Sequence, residues 1–77
     1  MRVRGNTIGR RKAFGRRLRA AREALEISQT ELARRLDLDR PQVSNVEAGR
    51  SWVAPHRLAD VAKVLGTSLD DLFGVTG

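Results

Sequence analysis

The chain has 77 residues, a formal net charge of +6 and no cysteine. A chain of this length is expected to form one small domain, which leaves no space for a separate catalytic or ligand-binding domain. Because cysteine is absent, disulfides and thiolate metal sites are excluded, and the core has to form by packing alone. No apolar run approaches the ~20 residues that a transmembrane helix needs, so we expect no membrane span.

The charge is unevenly distributed along the chain. Residues 1–22 carry nine basic side chains and no acidic one, whereas residues 54–77 carry two basic and three acidic side chains. The amino-terminal part therefore suits a polyanion such as nucleic acid, and the carboxy-terminal part does not. The basic start leads into no hydrophobic stretch, so it does not predict a secretory signal.

The first helix is predicted to begin at Arg10. From there, apolar residues recur at steps of four, three and four, as they do on one face of a helix. These residues are Phe14, Leu18, Ala21 and Leu25. The helix is expected to end near Glu26. Residues 1–9 contain two glycines and no helical periodicity, so we predict that they form a flexible basic arm.

A capping box predicts the start of the second helix. The Ser28 hydroxyl can accept a hydrogen bond from the Glu31 N–H, and the Glu31 carboxylate can reach back to the Ser28 N–H. The helix is expected to end at Asp37, because aspartate tolerates a left-handed backbone better than most residues other than glycine.

A second capping box, formed by Asp39 and Gln42, predicts the start of the third helix. Pro41 fits the first turn of this helix, because a missing N–H costs nothing there. Gly49 is expected to end the helix in a left-handed conformation.

Two further helices complete the predicted domain. Pro55 suits the first position of the fourth helix and Gly66 its end, while Ser68 caps a short fifth helix. No segment has the alternating pattern of a β-strand. The sequence therefore predicts an all-α, five-helix domain over residues 10–73, followed by a tail at residues 74–77.

Residues 29–48 have the apolar register of a helix-turn-helix, in which one short helix crosses a second and holds it outward. The apolar positions are Leu32, Ala33, Leu36, Leu38, Val43 and Val46.

The chain resembles the lambda-repressor-like (Cro/Xre) helix-turn-helix family over roughly residues 14–73, in the stretches LRAAREALEISQTELARRLDL, QVSNVEAG and LADVAKVLGTSLDDL. It departs from the family at Asp37, where glycine is usual, and at Pro41, where a polar side chain is usual. The resemblance implies a compact five-helix DNA-binding domain with the helix-turn-helix at its second and third helices.

The outward face of the third helix is the predicted base-reading surface. Its residues are Arg40, Pro41, Gln42, Ser44 and Asn45. Arginine can bind guanine O6 and N7 through two hydrogen bonds, and asparagine can bind adenine N6 and N7 in the same way. Proline can only pack, for example against a thymine methyl group. The resemblance implies that positions 40, 41, 44 and 45 approach base edges; the alternative is that they are ordinary solvated residues of a surface helix.

Several cations are candidates for phosphate contacts, which position a protein on DNA without specifying a sequence. We favour the cation after the third helix and those near the amino terminus: Arg50, Arg2, Arg4, Arg10 and Arg11. The resemblance implies that Gln29 also contacts a backbone phosphate. The alternative is that these charges form a solvated surface.

Arg22 and Glu47 lie at the edges of the apolar faces of their helices. The resemblance implies that they form a partly buried ion pair, which ties the first helix to the third. The alternative is that they are two separate surface charges.

The last helix and the tail carry more apolar surface than so short a segment can easily bury. The predicted dimer interface is therefore Leu69, Leu72, Phe73 and Val75. A dimer is expected because a single small module buries little surface, and related proteins bind half-sites about one helical turn (~34 Å) apart. Trp52 is a candidate for a phosphate contact, for an anchor of the dimer or for a cap on the core.

These features predict a phage or bacterial transcriptional regulator, a repressor that binds a palindromic double-stranded operator as a homodimer in the bacterial cytoplasm or in a phage-infected host. No cofactor and no metal are expected, since the lone His56 has no cysteine or clustered carboxylate beside it. Ser28, Ser68 and Asp39 are better explained as helix caps than as catalytic groups, so no enzyme is predicted. The rival interpretation is a protein-interaction module of the same fold, either an antitoxin-type subunit that binds a toxin or a coactivator.

Overall fold

The computed structural model of the protein describes the backbone of residues 4–74 and the side chains of residues 9–74. Within these residues five α-helices follow one another, with one 3₁₀ turn before the fourth, and no strand occurs. The helices are α1 (Arg4–Ala24), α2 (Gln29–Leu36), α3 (Arg40–Glu47), α4 (Leu58–Leu65) and α5 (Leu69–Phe73), and the 3₁₀ turn is Pro55–Arg57. The prediction of an all-α, five-helix fold is confirmed.

α1 begins at Arg4 rather than at Arg10. The prediction of a flexible arm is therefore wrong for residues 4–9, which form the first turns of this helix, while residues 1–3 lie outside the described residues. The two glycines of the segment led to the wrong prediction. A glycine costs a helix only about 1 kcal/mol relative to alanine, and no proline is present to break the segment.

α1 ends at Ala24 rather than near Glu26. Glu26 has a left-handed backbone with φ of 58°, and the N–H of Ile27 donates to the carbonyl of Arg22, which closes the end of the helix. Leu25, predicted on the apolar face of the helix, consequently lies in the turn and is exposed.

Half of the capping box predicted for α2 is present. The Ser28 hydroxyl accepts a hydrogen bond of 3.0 Å from the Glu31 N–H. The prediction for the Glu31 carboxylate is wrong, because this group instead pairs with Arg34 and Arg35, one turn further along the helix. Hydrogen bonds from these two arginines lower the pKa of Glu31 to about 2. At the other end Asp37 has the left-handed conformation that was predicted, with φ of 57°.

The capping box predicted for α3 is present in full. The Asp39 carboxylate accepts from the Gln42 N–H at 2.9 Å, and the Gln42 side-chain oxygen accepts from the Asp39 N–H at 2.9 Å. Pro41 lies in the first turn, and Gly49 follows the helix with φ of 78°. Local sequence therefore determines both ends of α3.

The core receives side chains from all five helices. The largest fully buried side chains are Phe14, Leu18, Leu32, Val43, Val61 and Leu72. α1 packs against both α3 and α5, and its contact with α3 is unusually close at Gly15. A methyl group added to Gly15 would meet the carbonyl oxygen of Val46 and would lie 2.5 Å from that of Glu47. At this point α1 therefore touches the backbone of α3, and this contact fixes the position of α3 in the domain.

Candidate nucleic-acid interface

α3 is anchored by one face and exposed on the other. It buries Val43, Val46 and Glu47. On the rest of its surface lie the five predicted base-reading residues, of which Arg40, Pro41, Gln42 and Asn45 are exposed and Ser44 is half-buried. A short helix that is fixed from behind and exposed in front has the form that insertion into the major groove requires.

Gln42 differs from its neighbours on this face because its side chain has a structural contact. Its side-chain oxygen accepts the hydrogen bond from the Asp39 N–H, which holds the amide at the start of the helix and leaves the NH₂ group and one oxygen lone pair for another partner. Two roles are predicted for Gln42 from the sequence, as a cap and as a base reader. The structure shows the cap.

Arg40 is held in place by a residue of the preceding helix. Its Nη1 donates to the side-chain oxygen of Gln29 at 3.0 Å, and the Nε2 of Gln29 donates to Glu47 Oε1 at 2.9 Å. The amide of Gln29 thus joins the first residue of α3 to the last. The other N–H groups of the Arg40 guanidinium make no hydrogen bond to the described part of the chain and face solvent.

Glu47 also accepts hydrogen bonds from Arg22, and the two side chains are buried against each other. Arg22 Nε lies 2.6 Å from Glu47 Oε2, and Arg22 Nη2 lies 3.1 Å from Glu47 Oε1. Only 10 % of the Arg22 side chain and 4 % of the Glu47 side chain are exposed. The Nη1 of Arg22 donates to the Ile27 carbonyl at 2.9 Å, and its hydrogen bonds to Glu47 raise the pKa of Arg22 above its ordinary value. The structure thus brings the predicted ion pair together and connects it, through Gln29, to Arg40.

Arg50 lies immediately beyond the end of α3. Its backbone N–H donates to the carbonyl of Asn45 at 2.9 Å, and its Nη1 donates to the Asn45 side-chain oxygen at 3.2 Å. Both side chains are exposed. The predicted roles of the two residues are separate, a phosphate contact for Arg50 and base reading for Asn45, and the sequence does not show that their side chains touch.

The other cations predicted to bind phosphate lie at the amino-terminal end. Arg10 is exposed on α1, and Arg11 is half-buried, with its Nε lacking a hydrogen-bond partner among the described residues. Of the remaining two, Arg2 lies outside the described residues, and only the backbone of Arg4 is described. α1 also brings Lys12 against Gly49, so an exposed lysine lies beside the end of α3.

The predicted dimer residues do not form one exposed patch. Leu72 is only 2 % exposed and belongs to the core of the single chain, so its assignment to a dimer interface is wrong. It belongs to the same cluster of buried side chains as Phe14 and Leu18 of α1. Leu69 is half-buried against the core, Val75 lies outside the described residues, and Phe73 is 40 % exposed.

Phe73 instead belongs to an aromatic cluster with Phe14 and Trp52. The ring of Phe14 lies 4.9 Å from that of Phe73 and 5.6 Å from that of Trp52. Trp52 therefore covers part of the core, which is one of the three roles predicted for it. It nevertheless remains 39 % exposed. Beside the cluster is an open apolar groove of about 350 Å³, lined by Trp52, Val53, Pro55, Leu58 and Phe73.

Other kinds of site are not found in the part of the chain that the structure covers. No three side chains that could ligate a metal come together among residues 9–74, whose side chains are described. Ser28, Asp39 and Ser68 are N-caps, as predicted. Within the same range, no helix is long and apolar enough to cross a bilayer.

The family of the chain is shown by sequence comparison. The helix-turn-helix family model of the Cro/C1 type matches residues 18–72, which include all of α2, α3 and α4. The chain therefore belongs to this helix-turn-helix family, in agreement with the resemblance noted from its motifs. It is a DNA-binding transcriptional regulator and not an enzyme.

Three known proteins are similar to this chain. An uncharacterized transcriptional regulator in the ATPase CF(0) region of Rhodospirillum rubrum is 39% identical over 59 residues, which are 77% of this chain and 55% of that protein. The control protein C.MunI of Mycoplasma sp is 36% identical over 61 residues, which are 78% of this chain and 82% of that protein. The crystal structure of the restriction-modification controller protein C.AhdI from Aeromonas hydrophila matches with a TM-score of 0.78 and 35% identity, over 86% of this chain and 96% of that one. This chain thus corresponds to little more than half of the Rhodospirillum relative and to most of the other two.

Proposed function

We propose that the chain is a repressor that binds a short palindromic operator in double-stranded DNA as a homodimer, with α3 in the major groove. The observation that carries the proposal is the exposed face from Arg40 to Asn45, on a helix whose other face is fixed by the buried pair of Arg22 and Glu47. Base readers are effective when packing and hydrogen bonds behind them hold their positions. The membership in the helix-turn-helix family and the similarity to two control proteins support this function.

Arg40 is the proposed reader of a guanine. Gln29 accepts one of its five N–H groups, and the remaining ones face solvent, where they can reach guanine O6 and N7. Asn45 follows more than one turn later on the same helix and reads a second base pair. Pro41 packs against the groove between them, and Ser44 contributes a hydroxyl group close to Asn45.

Phosphate contacts are proposed for the residues around this face. Gln29 lies at the N-terminus of α2, where unpaired backbone N–H groups favour an anion. Arg50, Arg10 and Arg11 add positive charge on α1 and after α3. Arg2 and Arg4 precede them in the sequence and extend the same basic segment.

We expect Arg40→Ala and Asn45→Ala each to reduce the discrimination between operator and random DNA. A good base contact contributes about 1–3 kcal/mol of discrimination, so the ratio of the two affinities should fall about 5- to 150-fold for each variant. The measurement is a fluorescence-anisotropy titration with an operator that has been selected from a random DNA library, at one fixed salt concentration.

Lys63→Ala is the matched control, because it removes an exposed positive charge from α4 and leaves α3 intact. It should weaken binding to both DNAs by the same small factor. If Arg40→Ala and Asn45→Ala leave the ratio unchanged, α3 does not read the bases, and a protein-interaction role becomes the better explanation.

The second copy of the dimer is proposed to occupy the groove beside Trp52 and Phe73. These side chains are more exposed than aromatic residues of a closed core, and the groove is lined by apolar residues. Residues 54–77 carry a formal charge of −1, from two basic and three acidic side chains, so two copies can approach through this region without strong repulsion.

We expect Phe73→Ser to raise the dissociation constant of the dimer by roughly tenfold or more, since a buried aromatic anchor commonly contributes about 2 kcal/mol or more to an interface. The measurement is sedimentation velocity over a concentration series, with circular dichroism to confirm that the variant is folded. Leu25→Ser is the control, because Leu25 is an exposed apolar residue outside the groove. A wild-type chain that stays monomeric at high micromolar concentration, both with and without operator, would contradict the dimer.

A further inference from the structure

The side chain of Asn45 has a neighbour that limits how it can meet a base. Gly49 turns the chain back with φ of 78°, and the N–H of Arg50 then donates to the Asn45 carbonyl at 2.9 Å. This backbone bond places residue 50 beside residue 45. The guanidinium of Arg50 makes a second link, from Nη1 to the Asn45 side-chain oxygen at 3.2 Å.

We propose that Arg50 is a positioning residue that determines which base Asn45 reads. By donating to Oδ1 it orients the Asn45 amide, so that Nδ2 is the group left to meet the DNA. The inference rests on the proposed function, in which α3 lies in the major groove. It gives Arg50 a role in specificity in addition to a phosphate contact.

The orientation has a consequence for the base. An asparagine that binds adenine through two hydrogen bonds uses Nδ2 as donor to N7 and Oδ1 as acceptor from the N6 amino group. In this chain Oδ1 already accepts from Arg50, so an adenine amino group that used the second lone pair of this oxygen would lie beside a positively charged guanidinium. Guanine presents two acceptors, O6 and N7, to the major groove and no donor. The amide with Nδ2 outward and a cation beside it therefore selects guanine, in place of the adenine that an unconstrained asparagine prefers.

A simple phosphate contact by Arg50 would give different results. Loss of a phosphate contact weakens binding to all sequences alike, and it lowers the slope of log affinity against log salt by about 0.9. Loss of a positioning residue changes the preference among the four bases at one position. The two roles can therefore be separated in one set of titrations.

The experiment measures the DNA affinities of four proteins: wild type, Asn45→Ala, Arg50→Ala and the double variant. Each protein is titrated with a set of operators in which one position at a time is changed to each of the four base pairs. The position that loses its preference in Asn45→Ala is the one that Asn45 reads. Wild type should prefer guanine there. Arg50→Ala should shift the ratio of guanine to adenine affinity by about tenfold towards adenine, because Oδ1 is released to accept from N6. The double variant should show no preference beyond that of Asn45→Ala.

Lys63→Ala controls for the loss of one positive charge, and thermal unfolding controls for the fold. A wild-type preference for adenine at the Asn45 position would overturn the inference. So would an Arg50→Ala variant that binds all four operators more weakly by one factor with a reduced salt slope. If Asn45→Ala changes the preference at no position, this inference fails, and the proposed function fails as well if Arg40→Ala also leaves every preference unchanged.

Discussion

Replacing Glu47 by alanine is expected to lower the free energy of unfolding by about 3–5 kcal/mol, because the change leaves a buried guanidinium without its partner. Arg22 is 10 % exposed in its side chain, and two of its hydrogen bonds go to the Glu47 carboxylate. Small domains have a total stability on the order of 5–15 kcal/mol. The variant should therefore melt far below the wild type even when no DNA is present.

Thermal unfolding followed by circular dichroism measures this effect, and the chain contains a matched control. Arg19 and Glu23 form an ion pair whose side chains are 63 % and 54 % exposed, so Glu23→Ala breaks a pair of the same chemistry in water. Exposed pairs of this kind contribute about 0.3–0.5 kcal/mol. An unchanged melting temperature in Glu47→Ala would show that Arg22 finds another partner or reaches solvent.

A double change distinguishes the cost of a stranded charge from the value of the pair itself. Replacing both Arg22 and Glu47 by apolar residues of similar size removes the buried charges together, and such replacements are often neutral or stabilising. The double variant Arg22→Met, Glu47→Leu should therefore be more stable than Glu47→Ala. Its DNA binding should still be impaired, because Gln29 loses the carboxylate that holds its amide.

Gly15→Ala is expected to destabilise the domain by about 2 kcal/mol, although alanine is the better helix former by about 1 kcal/mol. The added methyl group would lie 2.5 Å from the Glu47 carbonyl oxygen and would also meet that of Val46. These are backbone atoms of α3, so no side-chain rotation relieves the overlap and the two helices have to separate. Overpacking of this kind costs about 1–3 kcal/mol and occasionally more, and here the obstacle is rigid, so the cost exceeds the gain in helix propensity.

Gly9→Ala is the control for Gly15→Ala, because it is the same change in the same helix. Among the residues whose side chains are described, a methyl group at Gly9 meets nothing within 4 Å. This variant should gain up to about 1 kcal/mol from helix propensity. The two substitutions are thus expected to shift the melting temperature in opposite directions, by roughly 4–8 °C for each kcal/mol in a domain of this size. A stabilised Gly15→Ala would mean that α1 and α3 separate at little cost.

The features that the sequence predicted well depend on residues a few positions apart. The caps at Ser28, Asp39 and Ser68 are examples, as is the left-handed turn at Asp37, because each is set by the hydrogen bonds and backbone preferences of its own segment. Competition among side chains is harder to predict. Glu31 had one backbone N–H and two arginines within reach, and the sequence does not show which of them it binds.

Contacts between distant segments could not be predicted from the sequence. Gly15 is an unremarkable glycine in the sequence, and only the packing of α1 on α3 shows why a side chain does not fit there. Leu72 and Phe73 are adjacent apolar residues of one short helix, and only the packing of that helix in the domain shows that the first is buried and the second is exposed. In the candidate site, the periodicity of α3 was sufficient to predict which residues face outward, but it could not predict that Gln29 binds Arg40 or that Arg50 binds Asn45.

The way α3 is fixed has a consequence for how proteins of this kind acquire new operators. The helix is held by the Asp39 cap, by buried valines and by Glu47, none of which lies on the exposed face. Of positions 40, 41, 44 and 45, Ser44 is half-buried and the other three are exposed. Mutation can therefore explore new DNA sequences at these four positions while the melting temperature stays nearly constant. A laboratory library randomised there should contain mostly folded proteins, so that selection can act on sequence preference alone.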